Sequence, residues 1–207
     1  MGRGVMFDAW LKPPMSDFEK ELLSSNITRA KDMEQLHHRE NILTTLRTYA
    51  VKEHPIQGVF DYQHLKAIHR YLFQDVYVWA GMDRYDIGLR GAFRKGNSYF
   101  TPGEKLPQVA ASLFDALKEE HFFRGLKKEP FIKSIASFFN GLNILHPFRE
   151  GNGRTQRIFI EQLAYNAGYH LDLSQVSQSM MIQASIQGSK GNIKGFEIII
   201  QNAIKES

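Results

Sequence analysis

The chain has 207 residues, with 26 Lys and Arg, 22 Asp and Glu, and no cysteine. This length suits one domain with its own core, and the lack of cysteine excludes disulfide scaffolds, cysteine zinc sites and thiol catalysis. The net charge of +4 favours anionic partners, but the basic residues are dispersed and form no recognition helix, so direct nucleic-acid binding is not expected.

The N-terminal part, residues 1–26, is the least specified region, because Pro13 and Pro14 interrupt it. We interpret it as an arm that precedes a single domain at 27–207. The chain begins without the apolar run of a signal peptide, and its longest apolar runs, such as Ile198–Ile200, are too short to span a membrane. We therefore expect no membrane contact and a cytoplasmic location. Export by a system that needs no cleavable signal stays open.

Helical spacing of apolar residues dominates the chain from Met33 onward, where the first stripe includes Leu46. Asp61 is a predicted N-cap for the next helix, and Pro107 lies in the first turn of another. The predicted helices cover residues 33–50, 61–72, 106–117, 131–145, 154–167, 174–187 and 193–204.

The segment 84–101 has no helical stripe and contains Gly88, Gly91 and Gly96. This pattern predicts a β-hairpin or extended flap. The fold class is therefore mainly α, a bundle of about seven helices with one hairpin. The chain shows no alternation of strands and helices, which argues against a doubly wound sheet.

A dense polar motif at 146–157 reads HPFREGNGRTQR and lies between two apolar helices. Gly151 and Gly153 let the main chain approach a ligand, and the following helix points its free N–H groups at the same space. Arg154 and Arg157 are three positions apart on that helix and could clamp phosphate oxygens.

Two other side chains complete the chemistry of this motif. Glu150 is a carboxylate of the kind that holds Mg²⁺ beside phosphates. His146 is the group that titrates near neutrality and could act as a general base. The remaining histidines that we considered lack ligand spacing and are assigned to surface or structural roles: His37, His38, His64 and His69.

Two standard phosphate-binding motifs do not fit. Gln156 stands where a dinucleotide fingerprint requires its third glycine, and a helix rather than a strand precedes the motif. The stretch Gly91–Ser98 resembles a P-loop, but Asn97 replaces the essential lysine.

The motif matches the signature of the Fic family, H-P-F-x-D/E-G-N-G-R-x-x-R, at every defined position. The stretch Asp61–Gly81 also resembles the helix and Trp-Ala-Gly turn before the Fic flap, and Arg84, Asp86 and Ile87 resemble the first strand of that flap. The resemblance covers roughly residues 30–204. It implies the Fic fold and the transfer of AMP from ATP to a hydroxyl side chain of a target protein.

The resemblance also implies a role for each matching residue. His146 would deprotonate the target hydroxyl, Phe148 would anchor the loop, and Glu150 would hold Mg²⁺ between the α- and β-phosphates. The anion hole would consist of Gly151, Asn152 and Gly153. Arg154 would contact the β-phosphate and Arg157 the γ-phosphate.

The flap would pair with the main chain of the target, whose modified residue would be a Tyr, Ser or Thr. Gly91, Phe93 and Arg94 resemble the turn of the family's flap, with Arg90 where lysine is common. Related proteins modify type II topoisomerase subunits, which makes such a subunit the first candidate target.

Many Fic enzymes are inhibited by a helix that carries Ser/Thr-x-x-x-Glu-Gly/Asn, whose glutamate pairs with the second arginine of the motif. No Ser or Thr here has Glu four residues later; Thr28 is followed at that offset by Asp32. We therefore expect the toxin of a toxin–antitoxin pair, with a small antitoxin that places a glutamate opposite Arg157. The alternatives are a Fic-related phosphotransferase and a nucleotide-binding regulatory module without turnover.

Overall fold

The computed structural model describes residues 14–96 and 98–205, so most of the predicted arm, and Asn97 in the flap, lie outside the described residues. The prediction of a mainly helical bundle with a hairpin is confirmed. The elements in chain order are α1 (Asp17–Ser25), α2 (Met33–Glu53), α3 (Tyr62–Phe73), β1 (Phe93–Lys95), β2 (Ser98–Phe100), α4 (Leu106–Glu119), α5 (Lys128–Leu145), α6 (Asn152–Asn166), α7 (Gln178–Gly188) and α8 (Lys194–Ala203).

Helix α5 forms the centre of the bundle and packs against α4, α6, α7 and α8. Its apolar residues are buried around most of its circumference, as expected for a core helix: Phe131, Ile135, Phe138, Phe139, Leu142 and Leu145. Because α5 leads directly to the motif and α6 follows it, two helices with many buried residues hold both ends of the motif.

Several helices begin at a residue whose side chain caps the first turn. The carboxylate of Asp32 accepts the N–H of Gln35 at 2.8 Å, and that of Asp61 accepts the N–H of His64 at 2.8 Å, which confirms Asp61 as an N-cap. Gly168 follows α6 with a φ of 90°, the conformation that commonly ends a helix.

Three differences from the predicted helices have local causes. Within the predicted arm, Ser16 and Glu19 form a capping box that starts α1. The predicted helix 174–187 is interrupted because Ser177 caps α7 through the N–H of Met180 at 3.2 Å. Leu46 is 63% exposed, since α2 turns only part of its apolar stripe towards the core.

The two strands pair antiparallel, with Phe93 opposite Phe100. The prediction that Arg84, Asp86 and Ile87 form the first strand of the flap is wrong, because residues 84–88 form turns and 89–92 are irregular. Asp83 and Asp86 explain this, because each carboxylate accepts the main-chain N–H of the other, at 2.9 and 2.8 Å. Such side-chain bonds compete with strand pairing.

In the described part of the chain, no helix is both long and apolar enough to cross a bilayer.

Candidate functional site

The polar motif forms a tight loop between the end of α5 and the start of α6, and left-handed residues stand at both of its ends. His146 has a φ of 42° and Gly151 a φ of 82°. A Cβ on Gly151 would lie 2.2 Å from the Phe73 ring, so both the conformation and the space require glycine there. The loop is therefore held in one conformation by the core beneath it.

His146 lies under the hairpin. Its ring stacks on Phe100 with 3.9 Å between centroids, and Phe93 lies 5.9 Å away. Both ring nitrogens are shielded from solvent and have no hydrogen-bond partner among the described residues. Burial, together with the positive charges of Lys95 and Arg84, lowers the pKa of His146 to about 3. The ring is therefore neutral at physiological pH and has a nitrogen free to accept a proton.

Phe148 is fully buried beneath the loop and stacks on His69 at 3.8 Å. The side chain of Asn152 bonds to both main-chain groups of Phe148. Its Oδ1 accepts the Phe148 N–H at 2.8 Å, and its Nδ2 donates to the Phe148 carbonyl at 2.6 Å. The side chain of Asn152 thus stabilises the loop, and only its main-chain N–H is left to face a ligand.

His69 contributes to the same loop and was assigned from the sequence only to a surface or structural role. Its Nδ1 accepts the N–H of Gly81 at 2.9 Å, and its Nε2 bonds to the Glu150 carbonyl at 3.1 Å. Burial lowers its pKa to about 3, so the ring stays neutral. His64 is likewise buried and structural, with Nε2 2.8 Å from the Ile56 carbonyl, whereas His37 and His38 are exposed.

The N-terminus of α6 is an uncapped anion cradle. No side chain caps its first turn, where Gly151 is the N-cap residue. A Cβ on Gly153 would meet no atom within 4 Å, so the main chain is open to a ligand at this point. Free N–H groups and the positive end of the helix dipole point at this space.

Arg154 is held in place by α2. Its guanidinium bonds to Glu40 and, at 3.0 Å, to Oγ1 of Thr44, and it lies 4.6 Å above the ring of Phe73. Glu40 also accepts the hydroxyl of Tyr77 at 2.5 Å. The motif signature does not include Glu40 or Thr44, although their spacing from Leu36 places polar residues on the buried stripe of α2. Such residues need polar partners and signal a site.

Arg157 lines a groove of about 1320 Å³ between α2 and α6. Arg154, Thr48, Tyr49 and Glu161 also line it. Burial and the charge of Arg154 lower the pKa of Arg157. An anion in this groove would offset the repulsion between Arg154 and Arg157, since it would attract both guanidinium groups.

Glu150 faces the hairpin and bonds to Lys95, with 3.1 Å between Oε2 and Nζ, while its Oε1 accepts the N–H of Gly151 at 2.9 Å. Burial acts to raise the pKa of Glu150, but Lys95, the Gly151 N–H and Arg154 outweigh it and leave the pKa below its usual value. No cluster of three or more metal-ligating side chains occurs in the residues that the structure describes. A single ionised carboxylate still fits a Mg²⁺ ion whose other ligands would be phosphate oxygens and water.

The flap residues singled out by sequence divide into two groups. Phe93 turns towards His146, whereas Gly91, which precedes β1, and Arg94 are exposed to solvent. The structure therefore brings together His146, Phe148, Glu150, the Gly-Asn-Gly turn and Arg154, with Arg157 in the adjoining groove.

Comparison with known proteins shows which family the chain is similar to. The sequence profile of the Fic/DOC family matches residues 59–164. The protein adenylyltransferase VbhT of Bartonella schoenbuchensis is 38% identical over 182 residues, which are 87% of this chain and 37% of VbhT. The probable protein adenylyltransferase Fic of Escherichia coli K12 is 32% identical over 200 residues, 97% of this chain and 94% of that protein. The chain thus spans about a third of VbhT but nearly all of the E. coli protein.

Two solved structures are similar throughout the fold. The BepC protein of Bartonella tribocorum, with bound AMPPNP, has a TM-score of 0.81 and 27% identity, covering 88% of this chain and 92% of that one. The N-terminal Fic domain of a VirB-translocated effector of Bartonella quintana, with bound ADP, has the same TM-score and identity, covering 88% and 90%.

Proposed function

This chain belongs to the Fic/DOC family, and from that membership we propose that it is a protein adenylyltransferase, which transfers AMP from ATP to a hydroxyl side chain of a target protein. One observation carries the proposal. A neutral imidazole with unpartnered nitrogens, His146, stands at one end of a loop whose other end is the open N-terminus of α6. A proton acceptor and an anion cradle on one rigid loop suit transfer of a phosphorus group to a hydroxyl.

In the proposed step, the target hydroxyl oxygen forms a bond to the α-phosphorus of ATP while the bond from that phosphorus to the bridging oxygen breaks. Pyrophosphate leaves with the electron pair of that bond. His146 takes the hydroxyl proton on a ring nitrogen that has no hydrogen-bond partner among the described residues. The main-chain N–H groups at Asn152 and Gly153 stabilise negative charge on the phosphate oxygens.

Glu150 is the residue that would hold Mg²⁺, which would neutralise charge on the phosphates when bound. Arg154, fixed by Glu40, would contact the β-phosphate, and Arg157 the γ-phosphate. Because Glu40 restrains the guanidinium of Arg154 before any nucleotide arrives, little side-chain freedom is lost on binding.

The hairpin is proposed to bind the target. Strands β1 and β2 form a sheet of only two strands, so an extended segment of the target could pair with an edge of it. The exposed residues Gly91, just before β1, and Arg94, on β1, would contact the target, and the Phe93 ring of the same strand faces His146. A type II topoisomerase subunit is the first candidate to test.

Regulation by a small antitoxin is the second part of the proposal. The groove beside Arg157 is open and is lined by both Arg154 and Arg157, which suits a partner helix with one glutamate opposite Arg157. We place the reaction in the bacterial cytoplasm, with secretion as the alternative. Purified protein should then transfer AMP without restraint, and extract of the native host should inhibit it; full activity in that extract would contradict an antitoxin.

Labelled ATP tests the main proposal. Wild type, His146→Ala and the exposed-histidine control His37→Ala are incubated with Mg²⁺, bacterial lysate and ATP labelled at either the α- or the γ-phosphate. We expect protein labelling from the α position only, unchanged in the control and reduced about 100-fold or more in His146→Ala. Labelling from the γ position would show a phosphotransferase. Nucleotide binding without any labelling would show a regulatory module.

A further inference from the structure

Arg84 is among the most completely buried polar side chains in the described part of the protein, with 1% of its surface exposed. Its guanidinium donates only to main-chain carbonyls: Nε to His146 at 3.1 Å, and Nη2 to Thr101 at 2.7 Å and to Leu145 at 3.3 Å. Burial lowers its pKa to about 10, so it is still charged at neutral pH. A buried charge is costly, and a fold that keeps one needs compensating contacts.

The end of α5 supplies this compensation. The last carbonyls of a helix have no partners within it and carry partial negative charge. Here the flap provides the partners. The N–H of Arg84 donates to Pro147 at 2.8 Å, and the N–H and hydroxyl of Thr101 donate to Ile144 at 2.9 and 3.2 Å. Arg84 and Thr101, the two ends of the flap, are thus both hydrogen-bonded to residues 144–147, where α5 ends and the motif begins.

The same side chain also reaches the reactive region. Its Nε holds the carbonyl of His146, the residue whose left-handed φ of 42° turns the chain out of α5. Its guanidinium carbon lies 4.4 Å above the ring of Phe93, the β1 residue whose ring is 5.9 Å from that of His146. One planar group therefore contacts the start of the motif, the end of the flap and an aromatic ring of β1.

We propose that Arg84 is a positioning residue for AMP transfer, which fixes the flap and the main chain of His146 relative to each other so that the target hydroxyl meets its base. This role rests on the proposed function. Planar donors in a fixed fork are required to satisfy several carbonyls at once, so lysine is a poor substitute. Arg84 contacts no residue of the anion cradle, so ATP affinity should not depend on it.

Arg84→Met and Arg84→Lys test this role, and Arg47→Met is the matched control. Arg47 forms a similarly specific pair with Asp75, with 2.8 Å between Nε and Oδ2, but it lies outside the site. For each variant we would measure thermal unfolding, AMPPNP affinity by calorimetry, amide hydrogen exchange of residues 93–96, 98–101 and 145–148, and the rate of AMP transfer at saturating ATP.

For Arg84→Met we expect transfer to fall about 100-fold, because an error of about 1 Å in placing reacting groups has this effect. AMPPNP affinity should stay within about twofold, because Arg84 does not contact the anion cradle. A twofold change corresponds to less than about 0.5 kcal/mol. Exchange should accelerate at both ends of the flap and at 145–148. Arg84→Lys should lie between wild type and Arg84→Met, and Arg47→Met should lose stability without any of these changes.

Two results would overturn the role. If Arg84→Met transfers AMP at the wild-type rate, or if its transfer and AMPPNP affinity fall together with unchanged exchange in the flap, Arg84 positions nothing. Wild type is the reference for the proposed function itself. If wild type transfers no AMP, that function fails, whereas the exchange data still decide whether Arg84 joins the flap to α5.

Discussion

The Nζ atom of Lys95, on the hairpin, lies 3.1 Å from Oε2 of Glu150, on the motif loop. The pair joins the flap to the carboxylate that we propose as the Mg²⁺ ligand, so Lys95 binds an oxygen that would otherwise be available to the metal. The two side chains are 43% and 27% exposed. Ion pairs at such exposure contribute at most about 1 kcal/mol.

Lys95→Met should therefore lower the Mg²⁺ concentration that gives half-maximal transfer, by about two- to fivefold, the factor that corresponds to 1 kcal/mol or less. The measurement is the rate of AMP transfer against Mg²⁺ at saturating ATP. Lys118→Met, an exposed lysine of α4, is the control and should leave the curve unchanged. A higher Mg²⁺ requirement in Lys95→Met would instead make Lys95 a ligand of the nucleotide.

The two glycines of the cradle should respond differently to alanine. Gly153→Ala adds a methyl group that meets no protein atom, and alanine favours a helix by up to about 1 kcal/mol, so thermal stability should be equal or higher. AMPPNP affinity should nevertheless fall about tenfold or more, because the methyl group occupies space that the phosphates need.

Gly151→Ala is the comparison. Its Cβ would lie 2.2 Å from Phe73 at a φ of 82°, so unfolding free energy should fall by about 1–3 kcal/mol or more. Calorimetric titration with AMPPNP and thermal unfolding separate the two effects. Normal AMPPNP binding by Gly153→Ala would show that phosphates do not approach α6 there.

Sequence was sufficient for most of the fold because apolar spacing and caps such as Asp61 are local signals. The motif was found for the same reason, since its residues are contiguous. Glu40 and His69 were not found as parts of the site, and Arg84 was recognised only as a flap residue, because they reach the motif from 114, 81 and 62 positions away. Periodicity shows which face of a helix is buried, but not which side chain it meets there.

His69 should make the stability of the protein sensitive to acid. Its pKa is about 3 in the folded chain and near 6.5 when unfolded, so below pH 6.5 the unfolded state binds a proton that the folded state does not. Stability therefore falls on acidification from about pH 6.5 to about pH 3, by about 1.4 kcal/mol per pH unit from this residue.

His69→Gln should lose about 1–3 kcal/mol at pH 7, because it leaves buried partners unpaired, but should lose less on acidification than wild type. Urea unfolding at a series of pH values measures both effects. The exposed-histidine variant His37→Gln should follow the wild-type curve. A constant difference between His69→Gln and wild type at every pH would mean that His69 does not stay neutral in the folded protein.

Phe100 should set the acid limit of the reaction. Burial of His146 beneath Phe100 and Phe93, with Lys95 and Arg84 nearby, lowers its pKa to about 3, while Glu150 acts in the opposite direction. In Phe100→Ala, water reaches the His146 ring, so the pKa of His146 should rise towards 6.5. The acid limb of kcat/KM for ATP should move to higher pH with it.

Tyr99→Ala, on the exposed face of the same strand, is the matched control and should leave that limb in place. The measurement is AMP transfer over about pH 4 to pH 8, which spans the range where histidine titrates. An acid limb that is the same in Phe100→Ala and wild type would mean that stacking on the flap does not control the protonation of His146.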